Sequence, residues 1–271
     1  MRSRGPPTVH VGTSGWQYRW WRGRFYPPSL PTVSWLAHYA GVFETVEVNN
    51  SFYRLPERST FERWRDATPP GFLMAVKASR YITHVKRLRD PRHPVDLLLA
   101  HAAGLGPALG PVLVQLPPTL RVDIPLLRDA LAAFDGRVRV AVEFRHPSWR
   151  DDAVFALLDG FGAAYVVADR PGVRDPSPVT GGWSYVRFHQ GTRSGPGYRR
   201  DKLARWASRL AELPAQEIFA YFNNDEHAAA PSDARTLIGL LRDRGVPVAR
   251  TMKVSTPTEG GDPRWSGTRT R

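Results

Sequence analysis

Two glutamates, a lysine, an arginine and a histidine stand in short valine-rich runs, and the alternation around them decides which way each one faces. In TVEVNNSF, Val46 and Val48 share one side, which sends Glu47 and Asn49 to the other, because successive strand side chains point to opposite faces. In the same way Met74 and Val76 leave Lys77, and Val112, Val114 and Leu116 leave Gln115. Val140, Val142 and Phe144 leave Glu143, while Val186 and Phe188 leave Arg187 and His189. Ser14, Asp169 and Asn223 fall at comparable run ends. Such a set offers definite chemistry. Two carboxylates about 5–10 Å apart act as acid and base or nucleophile in glycoside hydrolysis, and His189 suits proton transfer near neutral pH. Lys77 is one of only four lysines among 38 basic residues, so a compact ammonium is wanted there, for a phosphate contact, an ion pair or a Schiff base. Glu47, Glu143, Lys77 and His189 are therefore the candidate catalytic residues. In the rival reading Glu47 and Glu143 pair with Lys77 and Arg187 only to satisfy buried groups.

The elements that must position these residues follow from periodicity. Short β-rich runs occur near residues 9–14, 45–49, 73–77, 111–116, 139–144, 163–169, 184–189 and 217–223. Between most of them lie amphipathic helical stretches, among them STFERWRDA, PLLRDALAAF and DARTLIGLLRDRG, whereas RPGVRDPSPVTGG reads as a link without a helix. Eight strands alternating with about seven helices predict an α/β fold, a single-domain parallel (β/α)8 barrel of the TIM type. Its expected span is residues 9–253, after an N-terminal extension at 1–8 and before a polar, Gly-rich tail at 254–271. In such a barrel the valine faces meet the helices, and the inward polar residues gather at the C-terminal ends of the strands, where barrel sites are built.

Charge points to the same end. The formal net charge is +13. Arg19, Arg22 and Arg24 follow the first strand, and Arg80, Lys86, Arg87, Arg89 and Arg92 follow the third. Arg193, Arg199, Arg200 and Lys202 follow the seventh, whereas connections such as TPPG and DGFG at the other end carry no cation. A positive rim favours an anionic small molecule or nucleic acid as partner. The segment GTSGWQYRWWRGRFYPP supplies aromatic rings for the first rim loop, with Trp16 and Tyr18 expected nearest the chemistry and Trp20 or Trp21 as caps on the core. No apolar run approaches the roughly 18 residues that span a bilayer, no secretory signal is visible and cysteine is absent, so no membrane partner and a cytoplasmic location are expected. GxxxxGK[ST], GxGxxG and HExxH are all missing, which argues against a nucleotide cofactor. Glu143, His146, Asp169, His189, Asp225 and His227 leave a divalent metal open without diagnostic spacing.

VGTSGWQYRWWRGRFYPP, TVEVNNSFYRLP, FLMAVKASRYITHVKRL, VLVQLPP, VEFRHPSW, YVRFHQG and YFNN, in this order, resemble the YecE-like family, the domain of unknown function 72 family. The likeness runs from about residue 9 to 240. It implies a TIM-type barrel without an assigned reaction. It also directs attention to Ser14, Trp16, Tyr18, Glu47, Asn49, Tyr53, Lys77, His84, Gln115, Glu143, Arg187, His189 and Asn223. Two departures stand out: RFHQG puts a glutamine between a histidine and glycine expected to be adjacent, and APSDA replaces an APxNA-like stretch. The expected function is a hydrolase of phosphodiesterase type acting on a phosphate-containing substrate, nucleic acid included. Substrate-binding roles fall to Ser14, Trp16, Tyr18, Asn49, Tyr53, His84, Gln115, Asp169, Arg187 and Asn223. The alternatives are a non-catalytic nucleic-acid or polyanion binder and a glycosidase-like hydrolase using the paired glutamates.

Overall fold

The computed structural model describes residues 5–170, 178–190 and 195–249. Its eight strands are β1 (Thr8–Ser14), β2 (Thr45–Val48), β3 (Leu73–Lys77), β4 (Leu109–Gln115), β5 (Val140–Glu143), β6 (Ala164–Asp169), β7 (Ser184–Phe188) and β8 (Glu217–Phe222). They pair in parallel in sequence order and close into a barrel through β1 and β8. Closure removes the sheet edges. Seven helices lie outside: α1 (Trp35–Ala40), α2 (Arg58–Asp66), α3 (Arg92–Ala102), α4 (Ile124–Phe134), α5 (Asp152–Gly160), α6 (Arg200–Glu212) and α7 (Ala229–Arg242). Each falls on a stretch whose periodicity predicts it. Within the described residues the β6–β7 link carries no helix. Arg193, the tail from 254 and the middle of that link lie outside the described residues.

Local signals set the helix boundaries. At the start of α4, Asp123 Oδ1 accepts a hydrogen bond from the Leu126 amide at 3.0 Å, and Pro125 occupies a first-turn position where a missing N–H costs nothing. The helix stops at Asp135 in the left-handed region (φ 51°). Asp151 caps α5 through the Ala153 amide at 2.8 Å. In the first strand Gly12 is demanded by contact: a Cβ there would lie 2.1 Å from the Thr45 carbonyl oxygen of β2. Gly15 turns the chain at the end of that strand with φ 95°.

The alternation read from sequence separates two apolar clusters. Val46, Val48, Met74, Val76, Val112, Val114, Val140, Val142, Val186 and Phe188 pack against the helices in the larger cluster. The opposite phase fills the barrel itself with Ala75, Leu113, Ala141, Ala164, Val166, Trp183, Tyr185, Phe219 and Tyr221. Above these inner apolar residues, in register, come Lys77 after Ala75, Gln115 after Leu113, Glu143 after Ala141 and Arg187 after Tyr185. The polar layer at the C-terminal mouth is therefore the next layer of the same side-chain stack.

The N-terminal end of the barrel is closed by a charge-paired plug. His10 stacks on Phe219 with centroids 4.6 Å apart, and its Nε2 lies 2.6 Å from Glu217 Oε1. Arg139 also binds Glu217, and Arg137 binds Asp96 at 2.6 Å, so these two arginines are matched by acids. Burial alone would lower the His10 pKa, but the hydrogen bonds and charges of Glu217 and Glu44 reverse this and raise it to about 9. The folded state thus holds a proton that the unfolded state releases near pH 6.5. The stabilisation is complete below about pH 6.5, declines as pH rises, and is gone above about pH 9, with a ceiling of roughly 3 kcal/mol. Urea unfolding at pH 6 and pH 9.5 is expected to show this loss in the wild type relative to His10→Gln. Taking the difference between the two proteins cancels the opposite contribution of Lys77, whose pKa is lowered on folding.

Candidate functional site

Arg187, buried at the end of β7, is the hub of the mouth. Its Nε and Nη2 donate to the two oxygens of Glu47 at 2.9 and 2.7 Å, and Nη1 donates to Glu143 Oε2 at 2.6 Å. Gln115 Oε1 accepts a longer bond from Nη1 at 3.3 Å. Glu47 also accepts from Ser14 Oγ and from the Tyr185 hydroxyl, each at 2.6 Å. Four donors therefore converge on one carboxylate. Burial would push the Glu47 pKa up, but the Arg187 charge and these hydrogen bonds hold it below the ordinary range. Glu143 is also buried, and Arg187, His189 and Arg145 hold its pKa well below that range. Arg187 in turn is pushed above its usual value by the two carboxylates, against the opposing effect of burial.

The second side of Glu143 faces Arg145 and His189. Arg145 Nη2 stands 2.6 Å from Glu143 Oε1, close enough for an ion pair but off the direction of a hydrogen bond, and Arg145 Nε is buried without an acceptor. His189 Nε2 lies 3.4 Å from the same oxygen, while Asn223 Nδ2 lies 3.2 Å from His189 Nδ1. Asn49 reaches Asn223 at 3.4 Å. Burial lowers the His189 pKa more than Glu143 raises it, so the ring is neutral at pH 7. His189, Asn223, Asn224 and Asp225 line a cavity of about 490 Å³, within the range of small-molecule sites.

Lys77 completes the layer from the end of β3. It is 9% exposed, and its ammonium makes no hydrogen bond or ion pair among the described residues; its Nζ lies 4.3 Å from the centroid of the Phe52 ring. Burial first, then the Arg187 charge, lower its pKa to about 8, with partial compensation from Glu47 and Glu143. His84 packs edge-on against the same Phe52 ring at 5.1 Å and donates to or accepts from Thr83 Oγ1 at 2.8 Å. Its pKa is lowered by burial and by Lys77 and nearby arginines.

Several residues singled out by sequence stand apart from this hub. Asp169 turns to α6, where it pairs with Lys202 at 2.8 Å and accepts from Trp206 Nε1 at 3.2 Å. Trp16 is buried edge-on against Trp64 with centroids 5.2 Å apart. Trp21 is a fully buried cap, whereas Tyr18, packed on it at 5.0 Å, stays beside the hub: it donates to the Ser14 carbonyl at 2.5 Å and its hydroxyl feels the charges of Glu47 and Arg187. Tyr53 stands out at the rim. His146 is held by Ser148, and no group of three or more His, Asp or Glu side chains converges as metal ligands among the described residues. In APSDA, Asp233 accepts from the Tyr198 amide at 2.9 Å and from Asn224 Nδ2 at 2.7 Å, so the carboxylate ties the loops after β7 and β8 together. Arg145 and Tyr185 are site residues that the sequence reading passed over. Both carried a signal: Arg145 lies two residues after Glu143, and Tyr185 two before Arg187, in the inward phase.

The arrangement concentrates Arg187, Arg145 and Lys77 at the barrel mouth, beside a cavity that His189 lines. Known proteins share the frame. The chain is 26% identical over 270 residues to the UPF0759 protein YunF of Bacillus subtilis (strain 168), covering 86% of this chain and 94% of YunF. It is similar to the crystal structure of a DUF72 family protein from Thermotoga maritima, with a TM-score of 0.77 and 27% identity over 87% of this chain and 99% of that one. A DUF72 family protein from Enterococcus faecalis V583 shares the fold at a TM-score of 0.72 and 18% identity, over 87% of this chain and 96% of the other. Residues 10–258 match the family described as protein of unknown function DUF72, and the chain belongs to that family, as its motifs from GTSGW to YFNN indicated.

Proposed function

We propose that the protein is an enzyme that takes a phosphate-bearing anion at the C-terminal mouth of its barrel and hydrolyses a phosphate ester, nucleic-acid phosphodiesters included. Lys77 carries this reading: a lysine only 9% exposed whose ammonium has no carboxylate or hydrogen-bond acceptor against it among the described residues. Around it three cations, Lys77, Arg145 and Arg187, face two carboxylates, Glu47 and Glu143, and one positive charge is left over. A site that is desolvated and short of one negative charge gains most by admitting an anion. The glutamates then serve to hold Arg187. A glycosidase needs one carboxyl protonated near neutral pH, and both are held down. In hydrolysis, His189 takes a proton from water as its oxygen adds to phosphorus and the ester P–O bond breaks; Lys77 and Arg145 stabilise the charge on the phosphoryl oxygens and the departing alkoxide.

Titration of the protein with inorganic phosphate in a calorimeter tests the site. Lys77→Met is expected to weaken phosphate binding by roughly tenfold or more while leaving thermal stability equal or higher, since an unpaired buried charge is removed. Wild-type affinity should fall as pH rises through about 8, where Lys77 loses its proton. Equal phosphate affinity in wild type and variant would remove the proposal.

A further inference from the structure

We propose that Trp20, Tyr53 and Tyr81, each beside an arginine (Arg19, Arg54 and Arg80), form a stacking platform at the barrel mouth for single-stranded nucleic acid. This rests on the proposed phosphate-bearing substrate and narrows its class. The three pairs lie on the three successive loops that follow β1, β2 and β3, all at the mouth. The rings are 50%, 82% and 51% exposed, and among the described residues one other aromatic ring is comparably open, Phe161 beyond α5 at the far end of the barrel. Apart from Phe161, the other described Phe, Tyr and Trp rings are buried or half-buried, so open ones gathered at one end are unusual for a fold with this much core to fill.

The neighbouring charges fit the same ligand. Arg19, Arg54 and Arg80 are exposed and have no ion-pair or side-chain hydrogen-bond partner among the described residues. Residues 15–34, 49–56 and 78–89 of these loops contain no acid; Glu57 and Asp90, the latter paired with Lys86, come only at the ends of the second and third. A single strand alternates base faces with phosphates, and an alternation of rings and unpaired guanidinium groups is complementary to it. A duplex hides its base faces and offers only the phosphates.

The loops are tied to one another. Gln17 and Asn50 join the first to the second at 3.4 Å. Phe52, edge-on to Tyr53 at 5.1 Å, also meets His84 of the third. Trp20 is anchored by its Nε1, which donates to the Asp225 carbonyl at 2.9 Å, and it packs on Tyr18 at 5.1 Å. The ring is thus held with one part fixed and half its surface open. Phe52 also carries Lys77, so the platform is continuous with the inner site.

Fluorescence anisotropy with a 12-nucleotide single-stranded oligodeoxynucleotide tests the platform, alongside its ribo equivalent, the matched duplex and heparin. Single strands should bind more tightly than duplex or heparin. Trp20→Ala, Tyr53→Ala and Tyr81→Ala should each weaken single-strand binding by roughly 5- to 100-fold without changing its salt dependence, while Phe161→Ala has no effect. Replacing Arg19, Arg54 and Arg80 together by glutamine should lower the salt slope by about 2. The ribo and deoxy strands differ only in which is the better ligand. Ring variants that bind the oligonucleotide like wild type, or heparin binding as tightly as the single strand, would overturn the platform. Calorimetric phosphate binding keeps the two proposals apart: the ring variants should retain it, whereas its absence from the wild type counts against the inner site and leaves the platform to the oligonucleotide data.

Discussion

Arg187→Met is expected to lower the unfolding free energy by about 3–5 kcal/mol, the largest stability loss of any single substitution at the mouth. The side chain neutralises two buried carboxylates at once, with both Glu47 oxygens and Glu143 Oε2 among its acceptors. Removing it leaves Glu47 without its ion-pair partner and Glu143 with Arg145 alone, both in a low-dielectric layer. Total stabilities of domains run to about 5–15 kcal/mol, so a large part of the margin is lost, and the midpoint of thermal unfolding should fall by roughly 10 °C. Arg187→Lys should recover little, because one ammonium cannot reproduce a planar fork spanning two carboxylates. By contrast, combining Arg187→Met with Glu47→Gln and Glu143→Gln should restore most of the loss, since removing a whole buried ion cluster is often neutral. Urea unfolding of the three variants decides the matter. If Arg187→Met is as stable as wild type, the hub is not the keystone described here.

His189→Asn is expected to reduce hydrolysis of a chromogenic phosphodiester, bis(4-nitrophenyl) phosphate, by roughly 10²–10⁴-fold while leaving phosphate affinity within a few fold. The ring lines the cavity and its pKa is depressed chiefly by burial, so it takes up its proton at lower pH than a free histidine. A base must be unprotonated to accept. The acid limb of the rate should therefore lie at lower pH than a free histidine would give. On the alkaline side it should drop as Lys77 deprotonates at about pH 8. Loss of the acid limb in His189→Asn, with the alkaline limb kept, would assign the two limbs. A variant with wild-type turnover would take His189 out of the chemistry.

Glu47 shows where sequence reading ends. Alternation with Val46 and Val48 correctly sent it inward, because the side-chain period of a strand is two whatever surrounds it. Its partners were another matter. Ser14, Tyr185 and Arg187 come from 33, 138 and 140 residues away in the chain. No local rule specifies that four donors from β1 and β7 saturate it. Arg145 was missed for a different reason: it lies just past the end of β5, where the alternation continues although the strand has ended.

The aromatic segment after β1 divides the same way. Its composition announced a loop at the mouth, and it is there, with no acid from Gly15 to Ser34. Only packing sorted its rings, burying Trp16 against Trp64 from α2 and Trp21 against Tyr18, while leaving Trp20 half open. Asp169 reads as one more strand-end acid in sequence, yet Lys202 and Trp206 on α6 hold it away from the hub. The sequence by itself determined the eight strands, the helices between them, the inward set and the cationic end, because these follow from period, caps and charge along the chain. Tertiary structure alone decided which buried acids were already neutralised and which inward cation was not. That depends on barrel closure, which fixes the distances between residues the chain keeps far apart.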